Sequence, residues 1–216
     1  LDAGGDIILD ADNADIKLKD GESISSKGHS TSFKPTPFET VRKFLEASKN
    51  YFPSLEQASL SIRTEAKIED QSSIYYKLCD YLEKKLNIKV KVLPKSIMEE
   101  LFSRNDQHRS RILISEALDL PEKTFQISSQ IALIKFEDRI DQIISKSNFT
   151  DKEEKYLLKI TLANYFGTSL IMPYDNFKES ANELRYDLEI LSTRFATNVD
   201  NVCQRLRLIL LFNIWW

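Results

Sequence analysis

Apolar residues recur at three- and four-residue spacing along most of the chain from Pro37 onward, which predicts a helical body. The first such stretch places Phe38, Val41 and Leu45 on one face. Thr36 and Pro37 precede it at the N-cap and N1 positions, where these residue types are favoured. The pattern predicts helices over 37–52, 72–86, 120–136, 137–145 and 151–172. A further helix is predicted to begin after a cap at Ser54, and Thr150 is the predicted cap of the helix over 151–172. Two or three short helices are predicted after Pro173.

Two short segments have the pattern of strands. Residues 88–93 (IKVKVL) alternate strictly between apolar and polar side chains, and residues 111–115 (RILIS) predict a second strand. Residues 94–102 between them predict a short helix or turn. Two strands among so many helices are too few for a doubly wound sheet, so we predict an α+β fold that is mainly α.

The first 36 residues differ from the body. Ile7, Leu9, Ile16 and Leu18 alternate with polar residues as in a half-buried strand, and LDAGGDIILDAD resembles the repeated β-units of phage tail fibres. One such unit cannot bury its own apolar face, because repeats depend on stacked neighbours. We therefore divide the chain into a fibre-like β segment (1–22), a Ser-, Lys- and Pro-rich linker (23–36), a core (37–172) and a C-terminal helical unit (173–216).

Charge and cysteine usage narrow the class of protein. The net charge is −3, and since residues 1–22 carry −5, the remainder carries +2; neither value predicts strong non-specific binding to nucleic acid. Cys79 and Cys203 are far apart, so we expect no disulfide and place Cys203 in the core. No apolar run reaches the roughly 18 residues that a membrane span needs. We therefore expect a cytoplasmic protein without membrane contact.

Three motifs follow one another near the end of the chain: ANYFG (163–167), MPY (172–174) and RYD (185–187). Upstream lie FQISSQIALIKF (125–136) and FETVRKFLEASKNYFPSLEQA (38–58). Together these motifs resemble the short-chain fatty acyl transcriptional regulator family, XRE-type regulators with a degenerate ImmA/IrrE metallopeptidase-like domain. The resemblance covers residues 37–208. It implies a zincin-like core with a small sheet and a C-terminal helix-turn-helix-like unit.

The resemblance also identifies where a zinc site would lie. Zinc peptidases of this ancestry carry HExxH on a helix, with two histidines on one face and a glutamate that activates water. Ser129, Gln130 and Leu133 stand at the three positions of that motif, and the third ligand falls within 160–162, which is Ile-Thr-Leu. Leucine has no donor atom and glutamine cannot act as a general base. We therefore predict no metal, no cofactor and no peptidase activity.

The predicted ligand-binding residues are Asn164, Tyr165, Tyr174, Arg185 and Tyr186. Each has a structural alternative. The ANYFG motif places glycine inside a helix, which indicates close approach of another helix or of a ligand. The MPY motif either ends a helix or forms the wall of an acyl pocket. Arg185 either pairs on the surface or binds an oxyanion of the ligand.

Residues 185–206 have the spacing of a helix-turn-helix. Asp200 stands near the start of its second helix, where base contacts would be made, so we expect this unit to pack in the core. DNA binding would therefore need the separate N-terminal reader of the family, which we expect to be missing from this chain. We also expect the C-terminal unit to be truncated.

The sequence thus predicts the acyl-sensing core of a bacterial transcriptional regulator, with a short-chain acyl-CoA as ligand and a homodimer as a possible assembly. The competing interpretation is a non-catalytic structural or interaction module joined to a fibre-like segment. A hydrolase with another nucleophile is disfavoured, because no Ser-His-Asp or Cys-His arrangement is present in the pattern.

Overall fold

The computed structural model describes residues 35–213, with side chains up to Arg207. The predicted strand pair in 1–22 and nearly all of the predicted linker lie outside these residues. The helices of the described part are α1 Pro37–Ala47, α2 Pro53–Glu65, α3 Ile74–Leu86, α4 Lys95–Met98, α5 Leu120–Lys135, α6 Glu137–Ser145, α7 Lys152–Ile171, α8 Tyr174–Glu183, α9 Leu188–Arg194 and α10 Val199–Asn213. The strands are β1 Lys89–Leu93, β2 Ser103–Asp106 and β3 Arg111–Ser115. The prediction of a mainly helical α+β fold is confirmed.

Two of the major helices begin with reciprocal capping boxes. At α1 the Thr36 hydroxyl accepts from the Glu39 N–H while the Glu39 carboxylate accepts from the Thr36 N–H, as the sequence favoured. Asp119 and Glu122 repeat this arrangement at α5. Each box satisfies two N–H groups that the first turn leaves without helical partners.

Two predicted caps are wrong by one or two residues. Helix α2 begins at Pro53 after Phe52, which makes no side-chain cap, so Ser54 lies inside the first turn. Helix α7 is capped by Asp151, whose carboxylate accepts from the Glu153 N–H, rather than by Thr150. Neighbouring Ser, Thr and Asp residues have similar capping propensities, so local sequence does not separate them.

The sheet has the order β1-β3-β2. The two strands predicted from alternation, β1 and β3, pair in parallel, with Val90 opposite Ile112. The sequence analysis missed β2, which pairs antiparallel to β3 with Asn105 opposite Ile112. Its four residues, SRND, are all polar, so the strand depends on backbone pairing and carries no alternating signal.

Helices α5 and α7 form the centre of the core and pack closely against each other. Their contact includes Ile127 and Ile131 of α5 and Phe166 and Leu170 of α7, all fully buried. A Cβ built on Gly167 would lie 2.6 Å from Ser129 Oγ, far inside normal contact. The glycine inside α7 is therefore explained by the close approach of α5.

Helices α8, α9 and α10 complete the described structure. Of the apolar positions in the helix-turn-helix-like spacing, Leu191, Phe195, Val202 and Leu206 are buried, whereas Val199 is 39% exposed. Cys203 is exposed, so its predicted place in the core is wrong. The division of the chain at residues 172 and 173 stays a prediction. Within residues 35–213, no helix has the length and apolar character needed to cross a membrane.

Candidate functional site

A cavity of about 380 Å³ lies between α1, the α1–α2 loop, α7 and α10. These elements meet because α1 and α2 both pack on the long helix α7, while α10 folds back towards it. Helix α7 therefore forms the floor of the cavity. Its lining residues are Phe38, Val41, Arg42, Leu45, Asn50, Phe52, Leu157, Thr161, Asn164, Tyr165, Thr168, Gln204 and Arg207.

The surface of the cavity is mainly apolar, although seven of its thirteen lining residues carry polar or charged side chains. Val41, Leu45, Phe52 and Leu157 supply hydrocarbon surface from three separate elements. Along α7, the hydroxyls of Thr161 and Thr168 donate hydrogen bonds to backbone carbonyls four residues earlier, so both are paired within the helix. Asn164 lies between them on the same face, with its carboxamide in the cavity lining. Apolar lining with few polar anchors is the usual composition of a small-molecule site.

Tyr165 connects the cavity to a buried carboxylate. Its hydroxyl donates to Glu56 Oε1 at 2.6 Å and accepts from the Phe52 N–H at 3.3 Å. Its ring packs edge-on against the Phe52 ring, with centroids 5.2 Å apart. Burial, followed by the negative charge of Glu56, raises the pKa of Tyr165 well above its ordinary value. The hydroxyl therefore stays protonated and serves as a fixed donor.

Glu56 also binds Arg205 in a two-pronged ion pair. Arg205 Nη1 lies 2.6 Å from Oε1, and Nη2 lies 2.8 Å from Oε2. The Arg205 side chain is fully buried and Nε has no hydrogen-bond partner among the described residues. Burial alone would lower the pKa of Arg205, but the hydrogen bonds and charge of Glu56 hold it above its usual value. Arg205 thus stays charged, and its ion pair with Glu56 fixes α10 to α2 beside the cavity.

Two exposed arginines belong to the lining as well. Arg42 comes from α1 and Arg207 from α10, so the cavity has a guanidinium on each of two elements. Arg42 also lies 3.7 Å from the Glu46 carboxylate in an exposed pair, which is weak and easily exchanged. Guanidinium groups bind phosphate oxygens through parallel N–H donors, so this lining suits an anionic ligand.

The structure brings together only part of the predicted ligand set. Asn164 and Tyr165 both line the cavity. Tyr174 lies nearby but outside the lining, with its ring centroid 5.4 Å from that of Tyr51 and 5.7 Å from the Arg205 guanidinium carbon. Tyr174 therefore packs beside the buried ion pair, and its role in ligand binding stays a prediction.

Arg185 and Tyr186 form the turn between α8 and α9. Both have positive φ, of 51° and 62°, and both are exposed. The Tyr186 hydroxyl donates to Asn182 Oδ1 on α8. Asp187 then caps α9 by accepting from the Ile190 N–H. Neither Arg185 nor Tyr186 lines the cavity, and their role in binding stays a prediction.

The residues at the positions of the zinc motif make packing contacts or hydrogen bonds with neighbouring elements. Ser129 faces Gly167 of α7, and its hydroxyl has no hydrogen-bond partner among the described residues. Gln130 donates to Ser103 Oγ at 3.2 Å, and Ser103 in turn donates to Gln126 at 2.7 Å. These bonds tie the edge strand β2 to α5.

Leu133, the third of these positions, packs partly buried against the hydrophobic core. A hydroxyl, a neutral amide and a hydrocarbon are not a zinc donor set. Among residues 35–213, no three His, Cys, Asp or Glu side chains come together as possible metal ligands. The residues present therefore do not fit a catalytic zinc ion.

Sequence reasoning missed Asn50, Glu56 and Arg205. Asn50 looks like an ordinary polar residue in a helix-to-helix loop, and Glu56 like a surface acid of α2. Arg205 gave the one available signal, because it follows Val202 by three residues and so falls on the apolar face of α10. A charged residue on such a face requires a buried partner.

Comparison with known proteins adds the family context. A peptidase M78 family profile, described as the IrrE N-terminal-like domain, matches residues 83–207, which is more than half of the chain. The HTH-type transcriptional regulator PrpR of Mycobacterium tuberculosis is 29% identical over 173 residues, covering 80% of this chain and 35% of that protein. The regulator RamB of the same organism is 24% identical over 173 residues, covering 79% of this chain and 35% of its own length.

A third relative, the propionyl-CoA carboxylase regulator of Cereibacter sphaeroides, is 25% identical over 174 residues, covering 80% of this chain and 36% of that protein. A solved structure titled as a Mycobacterium tuberculosis transcriptional regulator superposes with a TM-score of 0.75 at 28% identity. The superposition covers 80% of this chain and 52% of the solved chain. The chain thus spans about a third of the length of these curated relatives. The tail-fibre resemblance of residues 1–22 finds no support in these comparisons.

Proposed function

The chain belongs to the IrrE N-terminal-like domain family, and we propose that it is the ligand-sensing core of a transcriptional regulator that binds a short-chain acyl-CoA. The observation that carries the proposal is the cavity between α1, α7 and α10, which holds Asn164 and Tyr165. The similar proteins are named as transcriptional regulators, and one is named for propionyl-CoA carboxylase.

The size and lining of the cavity support a ligand with a short hydrocarbon tail. Small-molecule sites have volumes of roughly 300–1,000 Å³, and about 380 Å³ lies at the lower end of that range. Val41, Leu45 and Leu157 offer apolar surface for the tail. Asn164 supplies a polar group in the same space.

The charged part of the ligand is assigned to the exposed arginines. Coenzyme A carries phosphate and pyrophosphate groups, which need solvent access as well as positive partners. Arg42 and Arg207 are exposed members of the lining and belong to different helices. A ligand held by both would bridge α1 and α10.

A ligand that bridges α1 and α10 couples binding to the position of α10, and this coupling is the proposed basis of regulation. Tyr165 lines the cavity and donates to Glu56, which is paired with Arg205 of α10. A ligand that contacts Tyr165 and Arg207 acts on α10 directly through Arg207 and indirectly through the contacts from Tyr165 to Glu56 and from Glu56 to Arg205. It shifts the conformational equilibrium to the extent that it binds one position of α10 better than another. DNA binding belongs, in this proposal, to a helix-turn-helix segment such as those named in the relatives.

We assign no catalytic step to the core. Peptidase activity in this fold depends on a zinc ion, and Ser129, Gln130 and Leu133 do not supply its ligands. Elemental analysis after addition of one equivalent of zinc and exhaustive dialysis should give well below one zinc per chain. A stoichiometric zinc content would instead favour a metal-dependent function.

Calorimetric titration of the full 216-residue chain with acetyl-, propionyl- and butyryl-CoA tests the proposal, with free CoA as the reference. We expect saturable binding that depends on the acyl group. Arg42→Ala and Arg207→Ala should each weaken it several-fold, because a charge-assisted hydrogen bond contributes about 1.5–3 kcal/mol when fully formed and less when exposed. Light scattering on the same samples measures the assembly state.

Arg185→Ala is the matched comparison, since this arginine is also exposed but lies in the α8–α9 turn. If it weakens binding while Arg42→Ala and Arg207→Ala do not, the ligand lies at the turn predicted from the motif rather than in the cavity. If the folded chain binds none of the acyl-CoAs, the sensing function is wrong and a non-catalytic interaction module becomes the better interpretation.

A further inference from the structure

The α1–α2 loop places an unusual side chain in the cavity lining. Lys49 and Asn50 have φ values of 53° and 52°, in the left-handed region that most residues avoid. Lys49 is exposed, whereas Asn50 is only 9% exposed and is one of the residues that line the cavity. The loop thus places a buried asparagine at the wall of the space between α1, α7 and α10.

The Asn50 side chain has an unpaired donor within the part of the chain that the structure describes. The Asn50 N–H donates to the Leu45 carbonyl, which accounts for the backbone, but the buried Nδ2 has no hydrogen-bond partner among the described residues. Buried polar groups are paired in most native structures, and leaving a donor unpaired is costly. An unpaired donor beside a cavity is explained when the occupant of the cavity carries the acceptor.

We propose that Asn50 Nδ2 donates a hydrogen bond to the acyl carbonyl oxygen of a short-chain thioester bound in this cavity. The inference rests on the proposed function and names a residue that recognises the ligand. The surroundings favour a carbonyl over a charged acceptor, because Val41, Leu45 and Phe52 make this part of the lining apolar. Phosphate groups have exposed arginines available instead. A neutral oxygen attached to a short hydrocarbon chain matches both the donor and its apolar neighbours.

The structural alternative is that asparagine is present only because it tolerates the left-handed backbone. Asn50→Gly separates the two roles, since glycine accepts positive φ at no steric cost and lacks the amide. Lys49→Gly is the matched control, because it makes the same change at the adjacent exposed residue. Asn50→Asp is a second variant that preserves size and left-handed tolerance but lacks the N–H donor.

The experiment compares two ligands that differ only at the carbonyl. Butyryl-CoA has the thioester oxygen, and S-butyl-CoA, a thioether, does not. Calorimetry on the full chain should show that the unmodified protein prefers butyryl-CoA by about 5- to 10-fold, as expected for one neutral hydrogen bond. Asn50→Gly should reduce that ratio to about one, whereas Lys49→Gly should leave it unchanged. Thermal unfolding monitors the fold, and Asn50→Asp replaces Asn50→Gly if the glycine variant does not fold.

The outcomes distinguish this inference from the proposed function. If the unmodified chain binds neither CoA derivative, the proposed function fails. If it binds both equally, or if Asn50→Gly and Asn50→Asp retain the preference, acyl-CoA binding stands and the role of Asn50 is overturned.

Discussion

Arg205 of α10 and Glu56 of α2, which are 149 residues apart in the sequence, form a fully buried two-pronged ion pair. Both carboxylate oxygens are used, and Tyr165 donates a third hydrogen bond to the same group. The pair stands directly behind the cavity, since Tyr165 also lines it. The position of α10 is therefore tied to a polar contact as well as to packing.

Breaking this pair from one side should destabilise the protein strongly. Glu56→Gln keeps the size of the side chain but leaves the Arg205 guanidinium buried without a counter-charge, which costs about 3–5 kcal/mol. Urea denaturation measures this free energy of unfolding. Arg207→Met, at an exposed arginine of the same helix, should change it by less than about 0.5 kcal/mol.

Replacing both partners should cost less than the sum of the single losses. The double variant Glu56→Leu/Arg205→Met removes both buried charges at once, so no unpaired ion remains. A double-mutant cycle that adds the single variants Glu56→Leu and Arg205→Met, measured by the same urea denaturation, gives the coupling. Additive single and double effects would show that the two side chains do not depend on each other.

Gly167→Ala should destabilise the contact between α5 and α7. The added Cβ would lie 2.6 Å from Ser129 Oγ and 3.2 Å from Ser129 N, so the Ser129 side chain must rotate and the two backbones must move apart by a few tenths of an ångström. Overpacking of this kind costs about 1–3 kcal/mol, and it outweighs the helix propensity of roughly 1 kcal/mol that alanine gains over glycine. Thermal or urea unfolding gives the loss.

Ser129→Ala is the corresponding test on the other helix. Its hydroxyl is buried without a partner, so removing it should be neutral or slightly stabilising. In the background of Gly167→Ala it should recover part of the lost stability, because the shortest contact involves that hydroxyl. Equal stability of Gly167→Ala and the unmodified protein would contradict the packing argument.

The two thiols should react at very different rates. Cys203 is exposed, whereas Cys79 is half-buried, and burial raises the pKa of the Cys79 thiol to about 11. Only thiolate reacts with a disulfide reagent, so at pH 8 the folded protein should show one fast thiol and one slow thiol. Labelling with Ellman's reagent measures both phases. The fast phase should disappear in Cys203→Ser, and the slow rate should rise about tenfold per pH unit below pH 11; two equal phases would refute the assigned burial.

Most of the fold follows from local sequence patterns. Helix α6 and strand β3 have the predicted bounds, because apolar spacing and flanking turn residues agree at those places. Strand β2 was missed since its pairing depends on β3 and leaves no mark in its own side chains. The pattern of side chains along the sequence predicts a helix or strand when that element is amphipathic. It does not predict an element such as β2, which is defined by backbone hydrogen bonds alone.

The site was predictable only in part for the same reason. Asn164 and Tyr165 line the cavity, and Asn164 was singled out because a polar group on an apolar helix requires partners; the part of both in ligand binding stays a prediction. The link between Glu56 and Arg205 is set by tertiary structure, since α2 and α10 both contact α7, and a single sequence offers no rule that pairs residues so far apart. Asn50 could not be singled out from the sequence, because the tertiary structure around the cavity decides whether its side-chain donor is paired.

Tyr165→Phe should have a stability cost that depends on pH. The variant keeps the ring but loses the hydrogen bond to a charged carboxylate, which costs about 1.5–3 kcal/mol near neutral pH. Burial and the Glu56 charge raise the folded-state pKa of Tyr165 above the unfolded value of about 10. A tyrosine with a raised folded pKa binds its proton more tightly in the native state. Its contribution is therefore fully present below about pH 10 and is lost as pH rises towards the folded value.

The difference in unfolding free energy between the unmodified protein and Tyr165→Phe should thus be constant from pH 7 to about pH 9. It should then shrink by up to about 1.4 kcal/mol per pH unit above pH 10. Other tyrosines titrate in both proteins, so taking the difference isolates Tyr165. Urea denaturation at pH 7, 9, 10.5 and 11 measures the trend. A difference that stays constant through pH 11 would mean that the hydroxyl is not held protonated by burial and Glu56, and the description of the cavity wall would have to change.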